Sequence, residues 1–315
     1  MKDLSVVVAS VNAAASIERC LSGFERTCRN HDSEIVVVDA SQDETAEIVA
    51  ARFPEIRLLK SAIGTLTPEL WTKGYQVSRG RVVAFTVGQC VPAVQWAAAM
   101  LDATSRGASG VGGPLTVADD ASRLDCALFY LRYSAFTSEM MTAGRTSGEV
   151  AGDNACYRRE WLDRFASSFA EGFWEIDFHR ALRSSGGWLA AEPRAQVTFG
   201  SLSSAKTICR HRFAHGRHFG SGRVHRGGRS PWLIVGGAPI VPLLLAWRAY
   251  RRVGRLATHR WRFLRGLPWF FLLAACWAAG EACGAFGEVL GASSSPRPDD
   301  DTAQTPIATG EAPRT

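Results

Sequence analysis

Acidic residues are missing from one long stretch of this 315-residue chain. Between Ser201 and Arg265 there is no Asp or Glu, while Lys206 and thirteen arginines fall in that interval. The whole chain carries a formal charge of only +6, so the basic character is concentrated there. Such a block reads as a surface for phosphates on nucleic acid, a nucleotide or anionic lipid headgroups. Helix-turn-helix, zinc-finger and RNP patterns are also missing, which makes nucleic acid the weakest of the three; no nucleic-acid partner is expected. The eight cysteines (Cys20, Cys28, Cys90, Cys126, Cys156, Cys209, Cys276 and Cys283) form no C-x-x-C pair and show no metal-ligand spacing. They point to reduced thiols in a cytosolic compartment, not to a disulfide framework. The seven histidines include no H-E-x-x-H, so no metal site is assigned. No serine sits in a G-x-S-x-G elbow. Glycine is absent from ASVNAAAS, the segment after the first apolar run. That excludes a G-x-G-x-x-G dinucleotide fingerprint and the Gly-rich loop of a nucleotidyltransferase; a Walker motif is lacking too. The opening MKDLSVVVAS has no secretory h-region, so the chemistry is expected to face the cytoplasm.

The chain is long enough to bury one large α/β core plus an appendage. Leu4–Ala9 and Glu34–Asp39 are apolar runs of strand length, followed by a shorter strand at Ile56–Lys60 and another at Arg81–Val87. Between them lie helical patterns: one from Ser16 with Ile17, Cys20, Leu21 and Phe24 on a single face, one over Asp43–Phe53 with Asp43 as N-cap, and one over Pro68–Ser78. Pro92–Thr104 reads as a helix with Pro92 in its first turn. Alternation of this kind predicts a mostly parallel central sheet flanked by helices. Further on, helices are expected at Ser122–Phe136, Arg159–Phe165 and Glu175–Ser184, and strand character over Leu189–Phe199.

The character then changes. Pro231–Trp247 is uncharged and apolar, Arg248–Arg265 is basic, and Leu267 onward is apolar again to Gly291. Seventeen residues of straight helix cover ~25 Å, short of a ~30 Å hydrocarbon core, and Gly236, Gly237, Pro239 and Pro242 favour a broken helix. If both apolar segments spanned a bilayer, the arginine-rich loop would lie outside, against the positive-inside rule. The expected organisation is a domain over 1–225, a membrane-associated hairpin over 226–291 with its basic segment along the interface, and a disordered tail over 292–315. Two buried helices of a soluble domain and intact spanning helices are the alternatives.

Three constellations carry chemistry. Asp39 ends a strand where open α/β sheets bind ligands, with Ser10 and Ser41 as polar neighbours. A turn that caps the next helix would use the same residues. Glu175 and Asp177 open a helix after Gly172-Phe173-Trp174; acids there suit the helix dipole, and also suit proton abstraction. Arg212 lies in the basic Cys209–Gly216 run.

The runs SVVVASVN, EIVVVDASQDETAEIV and RVVAFTVGQCVP resemble the start of the family 2 inverting glycosyltransferases of GT-A fold, over roughly residues 3–220. The resemblance implies that Ala9, Ser10 and Val11 line a nucleotide pocket, that Asp39 reads the base and that Gly74 lies near the nucleotide. It implies a base that deprotonates the acceptor hydroxyl, placed at Glu175 by the glycine eleven residues on, Gly186, with Asp177 as fallback and Trp174 in place of the first acid. It implies an acceptor-side loop at Asn154 and a leaving-group contact at Arg212. Where the family carries Asp-x-Asp, this chain has Val87-Gly88-Gln89, so Mg or Mn stays a candidate cofactor whose usual carboxylate ligands are absent; either arginines of the basic segment neutralise the diphosphate instead or the donor site is impaired. The expected partners are a nucleotide-sugar donor, a lipid-linked or glycan acceptor and, through 231–291, the cytoplasmic face of the plasma membrane. A catalytically impaired relative that binds glycan, nucleotide or partner is the alternative reading of Val87-Gly88-Gln89.

Overall fold

A computed structural model describes residues 2–200, 204–225 and 228–290; the tail over 292–315 lies outside the described residues. Strand β1 (Lys2–Ser10) is buried from Leu4 to its end, as expected of an uninterrupted apolar run with neighbours on both sides. It is followed by α1 (Ile17–Cys28), whose Ile17, Cys20, Leu21 and Phe24 are all fully buried at helical spacing. Then come β2 (Ser33–Asp39), α2 (Thr45–Arg52), β3 (Arg57–Lys60), α3 (Thr67–Val77) and β4 (Gly80–Val87). These four strands are parallel in the order β3-β2-β1-β4. The path moves outward from β1 to β3, then jumps back across β1 to β4. Right-handed crossovers therefore place α1 and α2 on one face and α3 on the other. Helix α2 starts at Thr45, not Asp43. The Asp43 carboxylate accepts from the Thr45 N–H at 3.2 Å, so it shapes the turn ahead of the helix.

The chain continues through β5 (Cys90–Pro92), α4 (Trp96–Ser105), β6 (Gly110–Gly112), β7 (Leu115–Val117), α5 (Arg123–Tyr133), β8 (Gly144–Thr146), β9 (Asn154–Arg158), α6 (Arg159–Arg164), α7 (Glu175–Ser184), β10 (Leu189–Ala191) and β11 (Val197–Phe199). The central sheet is mostly parallel, as expected, but mixed: β9 enters antiparallel between β4 and β6, and β8 lies antiparallel to β10 at the edge. Pro92 ends a strand instead of opening a helix: β5 pairs antiparallel with β11 as an edge of a separate three-stranded sheet, a place where the missing N–H does no harm. The Leu189–Phe199 run splits between the two sheets. Three-residue strands carry too little periodicity to be told apart in sequence. Helix α5 has a capping box, Ser122 Oγ accepting from the Asp125 N–H at 3.1 Å and Asp125 from the Ser122 N–H at 3.0 Å.

The last four elements are α8 (Ala205–His225), α9 (Pro231–Gly237), α10 (Val241–Val253) and α11 (Ala257–Val289). The apolar Pro231–Trp247 run is broken as its Gly and Pro residues suggest, α9 and α10 meeting at 69°. Helix α11 differs from expectation, since it takes Arg260, Arg262 and Arg265 into the same 33-residue helix as the apolar run and passes through Pro268. It is long and apolar enough to cross a membrane, with 44% of its most apolar window buried in the protein. Helices α8 and α11 run side by side in the same direction, Phe213 against Gly280 and Ser221 bonded to Glu288. A Cβ at Gly216, Gly220, Gly280 or Gly284 would collide with the opposing backbone, so only glycine permits this approach. Helix α11 also packs on α5, where Phe263 meets Tyr130 edge-on at 5.7 Å.

Candidate active site

The strand order changes direction between β1 and β4, and Ala9 lies directly beside Val87 at their carboxyl ends. That is where open α/β sheets leave a crevice. Here the crevice is a cavity of about 450 Å³ whose floor includes Ala9, Val11, Val87 and Gln89. One wall is the start of α7 with Trp174, Glu175 and Asp177; α5 adds Arg132, and α8 closes it with His211, Arg212, His215 and His218.

Helix α7 is fixed from below. Phe173 is buried and packs on Phe85 at 4.6 Å and Phe178 at 5.1 Å, while its N–H donates to the Pro68 carbonyl at 2.9 Å. One turn on, the buried His179 joins Tyr157 Oη at 2.7 Å and also bonds Glu149, which Arg183 holds at 2.7 Å. These contacts aim Glu175 into the cavity. Burial pushes its carboxyl up to about 7, and the negative charge of Asp153 adds to the rise. A backbone hydrogen bond and the Arg132 guanidinium oppose it without cancelling it. A carboxylate poised near neutrality can take a proton and release it again.

Arg132 donates from Nη2 to both oxygens of the buried Asp153, at 3.0 and 2.8 Å. Arg212 has no carboxylate partner among the described residues, and its Nε is buried without a hydrogen bond. Burial, followed by repulsion from Arg132, lowers Arg212 to about 9. Burial also pushes His211 down to about 4, with Arg132 and Arg212 adding to it, and holds His215 well below the usual imidazole range. His218 stacks on the Trp174 indole at 4.3 Å, and His215 meets the same ring edge-on at 5.9 Å.

The expected site residues divide into two groups. Ala9, Val11, Val87, Gln89, Trp174, Glu175, Asp177 and Arg212 share the cavity. The others lie outside its lining. Ser10 is buried with its hydroxyl unpartnered. Asp39 is buried at the end of β2 and accepts from Ser41 Oγ at 2.6 Å, while Ser41 accepts from the Asn12 N–H at 2.7 Å; together they lace the loops after β1 and β2. Gly74 is the close contact of α3 on Val7 of β1. Gly88 continues the β1–β4 pairing, its N–H donating to the Ala9 carbonyl at 3.0 Å. Asn154 is fully buried: its amide donates to the Pro114 and Ala195 carbonyls at 3.0 and 2.8 Å and accepts from Trp96 Nε1 at 2.8 Å. That bonding is the work of a core residue, not of an acceptor contact.

Sequence reasoning missed Arg132, Asp153 and the histidines of α8. The i, i+4, i+7 spacing of His211, His215 and His218 is legible as one helical face. Nothing in the sequence joins Arg132 to Asp153. For a divalent cation, Val87 and Gly88 offer no side-chain oxygen and Gln89 only a neutral one, and no three His, Cys, Asp or Glu side chains converge among the described residues. The hard-oxygen set such an ion needs is not met there.

A sheet that reverses at β1/β4, with a base-ready acid and cations around the crevice, has the form of a nucleotide-dependent transferase. Residues 5–165 match the family model of glycosyl transferase family 2, and the chain belongs to that family. Membership gives it the GT-A fold, glycosyltransferase activity in general terms, and a nucleotide-sugar donor with an acceptor as substrates. No curated protein is similar enough to count as a match.

Proposed function

We propose that the chain transfers a sugar from a nucleoside-diphosphate donor to an acceptor hydroxyl with inversion, Glu175 acting as the base. The observation that carries this is a carboxyl at the head of α7, facing the β1/β4 crevice and pushed up to about 7. The hydroxyl oxygen attacks the anomeric carbon from the face opposite the nucleotide while its proton passes to Glu175. The bond from that carbon to the diphosphate oxygen breaks, and the nucleoside diphosphate leaves. Arg212 stabilises the charge that collects on the leaving group. Ala9 and Val11 border the nucleotide, with the Asp39–Ser41 loop beside them. Trp174 and Asp177 flank the acceptor. In this reading Val87-Gly88-Gln89 occupies the place of the family's metal-binding acids.

Helices α9–α11 dock the enzyme on the cytoplasmic face of the plasma membrane, where the acceptor is lipid-linked or a growing glycan. Trp232, Leu233, Ile240, Leu243 and Trp247 are all strongly exposed there, beside Arg248 and Arg251. The test is transfer and hydrolysis of a panel of labelled nucleotide-sugars by the purified chain and by Glu175→Gln, with the anomeric configuration of the product read by NMR. Retention of configuration, or turnover by Glu175→Gln within about threefold of wild type, sinks the assignment.

A further inference from the structure

We infer that Arg132 and Arg212 clamp the diphosphate of the donor in place of a divalent cation, with Asp153 positioning Arg132. The inference rests on the proposed transfer reading and goes beyond it by naming a second arginine, its holder and a metal-independent donor site. Both arginines line the cavity, one from α5 and one from α8. Their states are complementary. Asp153 takes only Nη2 of Arg132, which leaves Nε and Nη1 to a ligand, and the guanidinium is steadied over the Tyr133 ring at 4.9 Å. Arg212 has no carboxylate partner among the described residues, and its buried Nε lacks any bond.

The two guanidiniums line one cavity and repel each other, Asp153 being the only carboxylate bonded to either among the described residues; the fall of Arg212 to about 9 has burial as its first cause and Arg132 as its second. An anion of two or more charges offsets that repulsion and gives the unpaired N–H groups acceptors, because phosphate oxygens accept from the planar N–H forks. The other arginines of the cavity are already engaged: Arg180 with Asp177 at 3.1 Å and Arg223 with the buried Glu281. His211 Nε2 is buried without a hydrogen bond, and burial keeps the ring neutral, so it can serve a phosphate oxygen without adding charge.

The experiment is calorimetric titration of the purified full chain with UDP, GDP, CDP, ADP and dTDP and with the matching monophosphates, in excess EDTA and again with Mn²⁺. At least one diphosphate is expected to bind in EDTA within about twofold of its affinity in Mn²⁺. Arg212→Gln should weaken that diphosphate at least about tenfold and the monophosphate less than about threefold. Because Arg132→Gln alone strands a buried carboxylate, Arg132→Gln with Asp153→Asn is the second variant, and the same selective loss is expected of it. Binding that requires Mn²⁺, or an Arg212→Gln chain that holds the diphosphate as wild type does, overturns the clamp and leaves the transferase reading standing. Failure of every diphosphate to bind, with or without Mn²⁺, overturns both.

Discussion

In β1 every residue from Leu4 to Ser10 is buried, whereas in and around α9 and α10 Trp232, Leu233, Ile240, Leu243 and Trp247 are each more than half exposed. Both regions are rich in large apolar side chains, yet only the first finds protein to bury them. The sheet is closed on both faces by helices, so its apolar runs become core. The C-terminal helices touch the body mainly through α11, on α5 and on the glycine contacts of α8, and turn much of their apolar surface outward. Apolar content thus says that a segment gains by burial; it does not say what buries it. One helix belongs to both regions. Helix α8 shows glycines to α11 and His211, Arg212, His215 and His218 to the cavity, which ties the chemistry of the body to the surface helices.

If chemistry resides in the body and docking in the C-terminal helices, changes in one region should leave the other's property alone. The largest effect is expected from Glu175→Gln: a fall in kcat of about 10³-fold with binding to anionic vesicles unchanged. A parallel loss of vesicle binding would mean that the two regions are not separable. Next is Asn154→Ala, which strands the Pro114 and Ala195 carbonyls and Trp96 Nε1 in the core. We expect a loss of roughly 3 kcal/mol in denaturant unfolding, with KM for the acceptor little changed in the protein that remains folded. An acceptor KM raised tenfold at unchanged stability would instead give Asn154 a binding role.

On the other side, Trp232→Glu, Leu243→Glu and Trp247→Glu together should weaken sedimentation with phosphatidylglycerol vesicles about 100-fold, while hydrolysis of soluble donor persists. The smallest expected effect concerns pH. A carboxyl raised from 4.5 to about 7 in the folded state favours folding only while it is protonated. That contribution is complete below pH 4.5, is lost as pH rises toward 7, and stays lost above it. Glu175→Gln is therefore expected to match wild type in stability near pH 4 and to exceed it by roughly 2 kcal/mol at pH 8, allowing for partial solvent access. Equal stability at both pH values would show that the carboxyl is not desolvated. In wild type, kcat/KM should rise with pH through a limb near 7.

The α/β body was legible because its signals are local. Leu4–Ala9, Glu34–Asp39 and Arg81–Val87 read as strands from continuous apolar runs of strand length, and Ile17, Cys20, Leu21 and Phe24 as a helical face, since run length and the 3.6 period are written directly into the residue order. Glu175–Ser184 was legible as a helix with an acid at its head for the same reason. The three-residue strands and the antiparallel entry of β9 were not, because their hydrogen-bond partners are set by distant segments.

The site follows the same division. Residue order by itself determined that Val11, Val87, Gln89, Trp174, Glu175 and Arg212 belong to motifs in a particular succession, and that the acids usual at Val87-Gly88-Gln89 are missing. Only the tertiary structure decided that Asp39 and Ser41 bond to each other beside the cavity, that Asn154 is core, and that Arg132 on α5 meets Asp153 ahead of β9. It also raised Glu175 toward neutrality and left Arg212 without a counter-charge among the described residues. Desolvation and charge proximity depend on which segments close over a group, and that closure has no signature along the chain.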